Sequence, residues 1–148
     1  MIAGTSAGAA VLGEMMLTGG RGRRSARLHQ LPPVAPGLSL MPGVILEHHF
    51  AERARFGRLM GALAQHPQLL GVGIDEDTAI IIAGDLESFQ VVGQGAVYVF
   101  DVVDTRHANR APDRRGALPM FGTRMEVLAA GDVFDISERE VISPIQSP

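Results

Sequence analysis

Two short apolar runs separated by one amphipathic segment set the main constraint on this chain. The first, "GVILEHHF", follows Pro42 and reads as a buried strand ending near His49. The next segment, "AERARFGRLMGALAQHP", carries Phe56, Leu59, Met60 and Leu63 at helical spacing, and Pro67 follows its end. "GVGIDEDTAIIIAG" then reads as a strand, an acidic turn and a second strand. Strands and helices mixed along the chain favour an α/β fold.

The remainder is read around that unit. "SAGAAVLGEMML" predicts a short helix with Ser6 at its start, ended by Gly19-Gly20. "RGRRSARLHQLPPVAPG" is polar and then rich in proline, which predicts an exposed loop. "FQVVGQGAVYVFDV" predicts a hairpin turning at Gly93 to Gly95. Residues 104 to 124 read as a second polar loop, and "MEVLAAGDVFDI" as a last strand followed by a frayed end. So few strand–helix units are too few for a complete doubly wound sheet. The expectation for residues 1–148 is one partial α/β domain, the C-terminal portion of a doubly wound, mostly parallel sheet that lacks its N-terminal strands.

Composition removes several function classes. The net charge of -3 offers no basic field for nucleic acid. Cysteine is absent, which excludes disulfides, thiolate metal sites and a cysteine nucleophile. No apolar run is long enough to span a bilayer, and the first residues lack the pattern of a secretory signal. The expectation is a cytoplasmic protein with no nucleic-acid or membrane partner.

Three stretches carry chemistry. In "GTSAGAA" a serine lies between glycines at two-residue spacing, the composition of a nucleophile elbow. Small neighbours let the backbone turn sharply, and a following helix N-terminus favours developing negative charge. The competing reading makes Ser6 an ordinary helix cap. Of the five histidines, His49 is best placed to serve as a base, because it closes an apolar strand. His48 is expected on the opposite face of a regular strand. His29, His66 and His107 lie in probable loops or beside proline and read as surface residues. A histidine base needs an acceptor, and Asp75, Glu76 and Asp77 follow the next strand. The same acids with Glu47, His48 and His49 have the donor types of a metal site, but no recognised metal spacing is present.

Taken together, these stretches resemble the cyanophycinases, serine peptidases related to aspartyl dipeptidases. That family carries a GTSAGA segment, here Gly4 to Ala9, and one like PGVIxDQHFxxRxRxxRL, here "PGVILEHHFAERARFGRL". A GxGIDEDTA segment follows, here Gly71 to Ala79, and the likeness covers roughly residues 1 to 100. The resemblance implies a flavodoxin-like, class I glutamine amidotransferase-like sheet and a serine peptidase that needs no cofactor or metal. It makes Ser6 the nucleophile, His49 the general base and Glu76 the third triad member. The substrate would be cyanophycin, a polyaspartate bearing arginine on its side chains, cut to β-Asp-Arg dipeptides. Arg53 and Arg55 would hold its carboxylates, and Arg58 would be structural. Family members are often dimers, and nothing in the sequence locates an interface.

Two departures qualify these expectations. The family's Asp-Gln pair is Glu47-His48 here, beside the site where substrate binds, which opens the choice to other β-linked or acidic peptides. Only Met1-Ile2-Ala3-Gly4-Thr5 precede Ser6, where the family has a substantial N-terminal region. The expectation is therefore an N-terminally truncated peptidase. A non-catalytic remnant, serving as an interaction module, is the alternative.

Overall fold

The computed structural model describes residues 1–19, 31–82, 84, 86–104, 106–107 and 119–142. His29 lies outside them. Three strands form the centre of a six-stranded sheet: β1 (Gly13–Leu17), β3 (Met41–His48) and β4 (Leu70–Ile74). They are parallel neighbours, with Val44 to His48 of β3 registered on Leu70 to Ile74 of β4. Antiparallel strands complete it, β2 (Val34–Pro36) outside β1, and β7 (Val97–Asp101) then β10 (Arg124–Leu128) outside β4. The single long helix among the described residues, α2 (Phe56–Gln65), crosses from β3 to β4. This is an α/β architecture built on a mixed sheet.

The helix and a second sheet cover the two faces. On one side Leu59, Met60, Ala62 and Leu63 of α2 pack against Ile45, Phe100 and Phe50. The approach is close because β4 is written Leu-Gly-Val-Gly-Ile. A Cβ on Gly73 would lie 2.5 Å from the Phe50 ring, so only glycine lets that ring sit against the strand. On the other side Val44, Leu46, Val72, Val97 and Val99 meet Phe89, Val91 and Phe134. These last three belong to a four-stranded antiparallel sheet in the order β12 (Glu140–Ile142), β11 (Val133–Asp135), β6 (Ser88–Gly93), β5 (Thr78–Ile82). A sheet thus occupies the face where a doubly wound fold would place more helices. Two further short strands, β8 (Arg106–His107) and β9 (Met120–Phe121), pair only with each other among the described residues.

Several local expectations are corrected. The helix after Ser6 is the single turn α1 (Ala7–Ala10), and Gly13 to Leu17 form a strand. That strand exchanges ladder bonds with β2 and β3, and such pairing overrides the helix preference of "GEMML". α2 begins at Phe56, because Ala54 has φ 48° and the Arg55 N–H donates to the Phe50 carbonyl. Arg53 and Arg55 therefore stand in the turn before the helix. β6 and β7 are not a hairpin, since each pairs within a different sheet. The tail holds three strands, β10, β11 and β12, where one was expected.

Candidate active site

Ser6 stands at the entry to α1 with φ 55° and ψ −123°, a conformation that a side-chain-bearing residue adopts only under constraint. The constraint is the tight turn itself. A Cβ on Gly4 would fall 2.2 Å from the Gly8 carbonyl oxygen, whereas Gly8 has open space around it. The first glycine of the Gly-x-Ser-x-Gly pattern is thus demanded by sterics and the second is not. Ser6 makes no capping bond to the helix backbone. Its Oγ lies instead 3.2 Å from His49 Nε2 and 3.2 Å from His48 Nδ1.

That both histidines reach one hydroxyl departs from the expectation of opposite faces. β3 ends at His48, and His49 turns out of the strand with φ 48°. Phe50, 4% exposed, fills the space beside Gly73 while its N–H donates to the Ile74 carbonyl. With the chain held on either side of it, the imidazole of His49 swings into the cleft occupied by His48. The two rings meet edge to face at 4.8 Å between centroids.

His49 Nδ1 donates to Glu76 Oε1 across 2.7 Å. The acid turn is pinned by residues the sequence reading did not single out. The Glu76 N–H donates to Glu52 Oε1, and the Thr78 hydroxyl donates to the Glu76 carbonyl while accepting from the Gly95 N–H. Asp75 spends its carboxylate on the N–H groups of Ala51 and Ala96. Glu76 alone of the three consecutive acids bonds a histidine in the described structure. Glu52 and Thr78 carry no signal beyond their nearness to the quoted motifs.

The adjacent pair Glu47-His48 separates across the sheet. Strand alternation sends His48 to the cleft and Glu47 to the helix face. Glu47 is 1% exposed and forms ion pairs with Arg55 Nη1 and Arg58 Nε. The same Arg55 Nη1 donates to the His48 carbonyl. Glu47 and Arg55 thus meet at the end of β3, where the carboxylate is enclosed and Arg55 holds the strand's last carbonyl. Glu47 is also removed from any metal set with His48 and His49. Among the described residues no group of three or more metal-ligating side chains converges. Arg53 is exposed, and its N–H donates to the His49 carbonyl.

Charge in the cleft is uneven. Burial, then the nearby Arg55 and the charges of His49, Arg53 and Arg58, push the His48 imidazole down to about 4. At neutral pH it is uncharged. The cleft has a volume of about 740 Å³ and is bordered by Ser6, His48, His49 and Asp75 to Asp77, with Leu46, Ile74 and Ile80 as its apolar wall.

Residues 1–89 match the model of Peptidase family S51. The chain belongs to that family. Ser6, His48, His49 and Asp75 to Thr78 lie inside the matched span. The chain is 40% identical to a cyanophycinase of Trichormus variabilis over 145 residues, 97% of this chain and 48% of that protein. It is 39% identical to cyanophycinases of Synechococcus elongatus over 142 residues and of Geminocystis herdmanii over 137. These alignments cover 44% and 49% of the two relatives, so the chain spans about half the length of the curated proteins it matches. The crystal structure of a peptidase from an acI-B1 Actinobacterium aligns with 88% of this chain and 43% of its own, at 23% identity and a TM-score of 0.49.

Proposed function

We propose that this S51 chain carries the nucleophile, base and orienting acid of a serine peptidase. The observation that supports it is the linear relay Ser6 Oγ–His49 Nε2–Glu76 Oε1, at 3.2 and 2.7 Å. Glu76 accepts the Nδ1 proton of His49, which leaves Nε2 bare and turned to the serine. As Ser6 Oγ bonds to an amide carbonyl carbon, its proton passes to His49 Nε2, and the imidazolium is stabilised by Glu76. Collapse of the tetrahedral adduct breaks the C–N bond, and the leaving amine takes the proton from His49. Water then repeats the sequence on the ester, releasing the acid and restoring Ser6. The N–H of Ala7, next after the nucleophile, is the donor that elbow geometry directs at the developing oxyanion.

The substrate we propose is cyanophycin, as the names of the relatives suggest, and the products we propose are the β-Asp-Arg dipeptides implied by the sequence resemblance. Arg53, exposed and close enough to bias His48, is the guanidinium available to a substrate carboxylate. The test is reaction of the purified protein with a fluorophosphonate and with cyanophycin. The wild type should be labelled at Ser6 and release dipeptides, and Ser6→Ala should do neither. A labelled protein inert to cyanophycin but active on other β-aspartyl peptides would move the substrate and keep the mechanism. Unlabelled wild type would leave a non-catalytic role.

A further inference from the structure

One hydroxyl and two imidazole nitrogens at equal distance pose a problem of proton count. Ser6 Oγ has a single hydrogen and can donate to only one of His48 Nδ1 and His49 Nε2. Glu76 settles which. Its carboxylate holds the His49 proton on Nδ1, so Nε2 is bare and takes the serine's hydrogen. A hydrogen bond from His48 must then run the other way. We propose that His48 is a positioning residue for the nucleophile: a neutral imidazole protonated on Nδ1 that donates to Ser6 Oγ. The hydroxyl is thereby held by one bond given and one received, and the remaining lone pair is directed into the cleft.

The surroundings agree with this assignment. The backbone of His48 is fastened at both ends, its N–H donating to Glu47 Oε1 and its carbonyl accepting from Arg55. A ring on so fixed a backbone can set a partner's rotamer. An imidazolium would donate as well, but burial and then the charges of Arg55, Arg53 and Arg58 oppose it. A bare Nδ1 would set two lone pairs against each other across 3.2 Å once the serine's hydrogen is committed to His49.

The inference rests on the serine-peptidase reading above, and the two are separated by the choice of measurement. Long-range proton–nitrogen NMR on the wild-type protein at pH 7 reads histidine tautomers without any turnover. His48 should carry its proton on Nδ1, and its Nδ1 resonance should move in Ser6→Ala. A proton on Nε2 of His48 would overturn the proposal whatever the activity. Fluorophosphonate labelling then reads function, as Oγ bonds to phosphorus, fluoride leaves and the proton passes to His49. His48→Leu should slow labelling roughly tenfold, as expected when a reacting group loses its orientation. His48→Asn, whose amide nitrogen replaces Nδ1, should restore most of that rate, while His49→Ala should remain nearly unreactive. Labelling of His48→Leu at the wild-type rate would overturn the positioning role and leave the Ser6–His49–Glu76 reading standing. Labelling lost in His48→Leu but retained in His49→Ala would make His48 the base and overturn both.

Discussion

His48 and His49 are neighbours in sequence with the same side chain and different environments. His49 is tied to a carboxylate, whereas His48 is withdrawn from water and set against three arginines. The folded protein therefore disfavours the charged form of His48, which the unfolded chain takes up freely below its ordinary value of 6.5. Between about 6.5 and about 4 the unfolded state binds the extra proton. The contribution of His48 to stability thus declines as pH falls through that window and is constant above it. Urea midpoints measured at pH 7 and pH 5 should differ more for the wild type than for His48→Asn, which lacks the titrating group. Equal differences would show that His48 has the same proton affinity folded and unfolded. At this scale the sequence was informative where sterics or chemistry demand one residue type. A glycine two positions before the serine and an acid after a strand are such cases. The convergence of the two imidazoles was not legible, because it depends on a left-handed backbone at His49 that no side-chain pattern announces.

At the level of the elements, the end of β3 is held by charge buried beneath α2. Glu47 is enclosed with Arg55 and Arg58, and a partly emptied buried pair costs more than it yields when complete. Arg55→Ala should lower the unfolding free energy by about 3 kcal/mol, the low end for such losses because Arg58 stays. It should also slow Ser6 labelling, since the His48 carbonyl loses its anchor. Denaturation and labelling of the same variant check both, and an unchanged stability would mean that Arg58 and water suffice. The strand–helix–strand unit was legible because α2 buries one apolar stripe, while its flanking strands are buried on both faces and read as continuous apolar runs. The burial of Glu47 was not legible, because a carboxylate in an apolar strand looks the same in sequence whether it faces a cleft or an arginine pair. The segment "GEMML" was misread because its short apolar run satisfies either period, and only pairing with β3 decides.

For the molecule as a whole, what was not legible is the division of strands between the six-stranded and the four-stranded sheet. β6 and β7 follow each other closely and each shows an inward face, yet one pairs with β5 and β11 and the other with β4 and β10. Alternation reports that a strand has a buried side, not which sheet receives it. The junction between the sheets is dense, with Phe134 and Phe89 fully enclosed and their rings stacked at 5.5 Å. Phe134→Ala should cost about 3–5 kcal/mol, measured by urea denaturation, as expected for truncating an enclosed aromatic ring. A loss below 1 kcal/mol would mean that the smaller sheet closes the gap by moving.

The turn that carries Glu76 is the crossing from the larger sheet to the smaller, and it lies beside the return crossing at Gly93 to Ala96. Asp75 bonds Ala96, the Asp77 carbonyl accepts from Gln94, and Thr78 bonds Gly95. Ser6 and His49 are brought together around β3, whereas the turn that carries Glu76 is held by Glu52 and by the meeting of the two crossings. Under the proposed reading, the orientation of the histidine is thus coupled to the packing of one sheet upon the other.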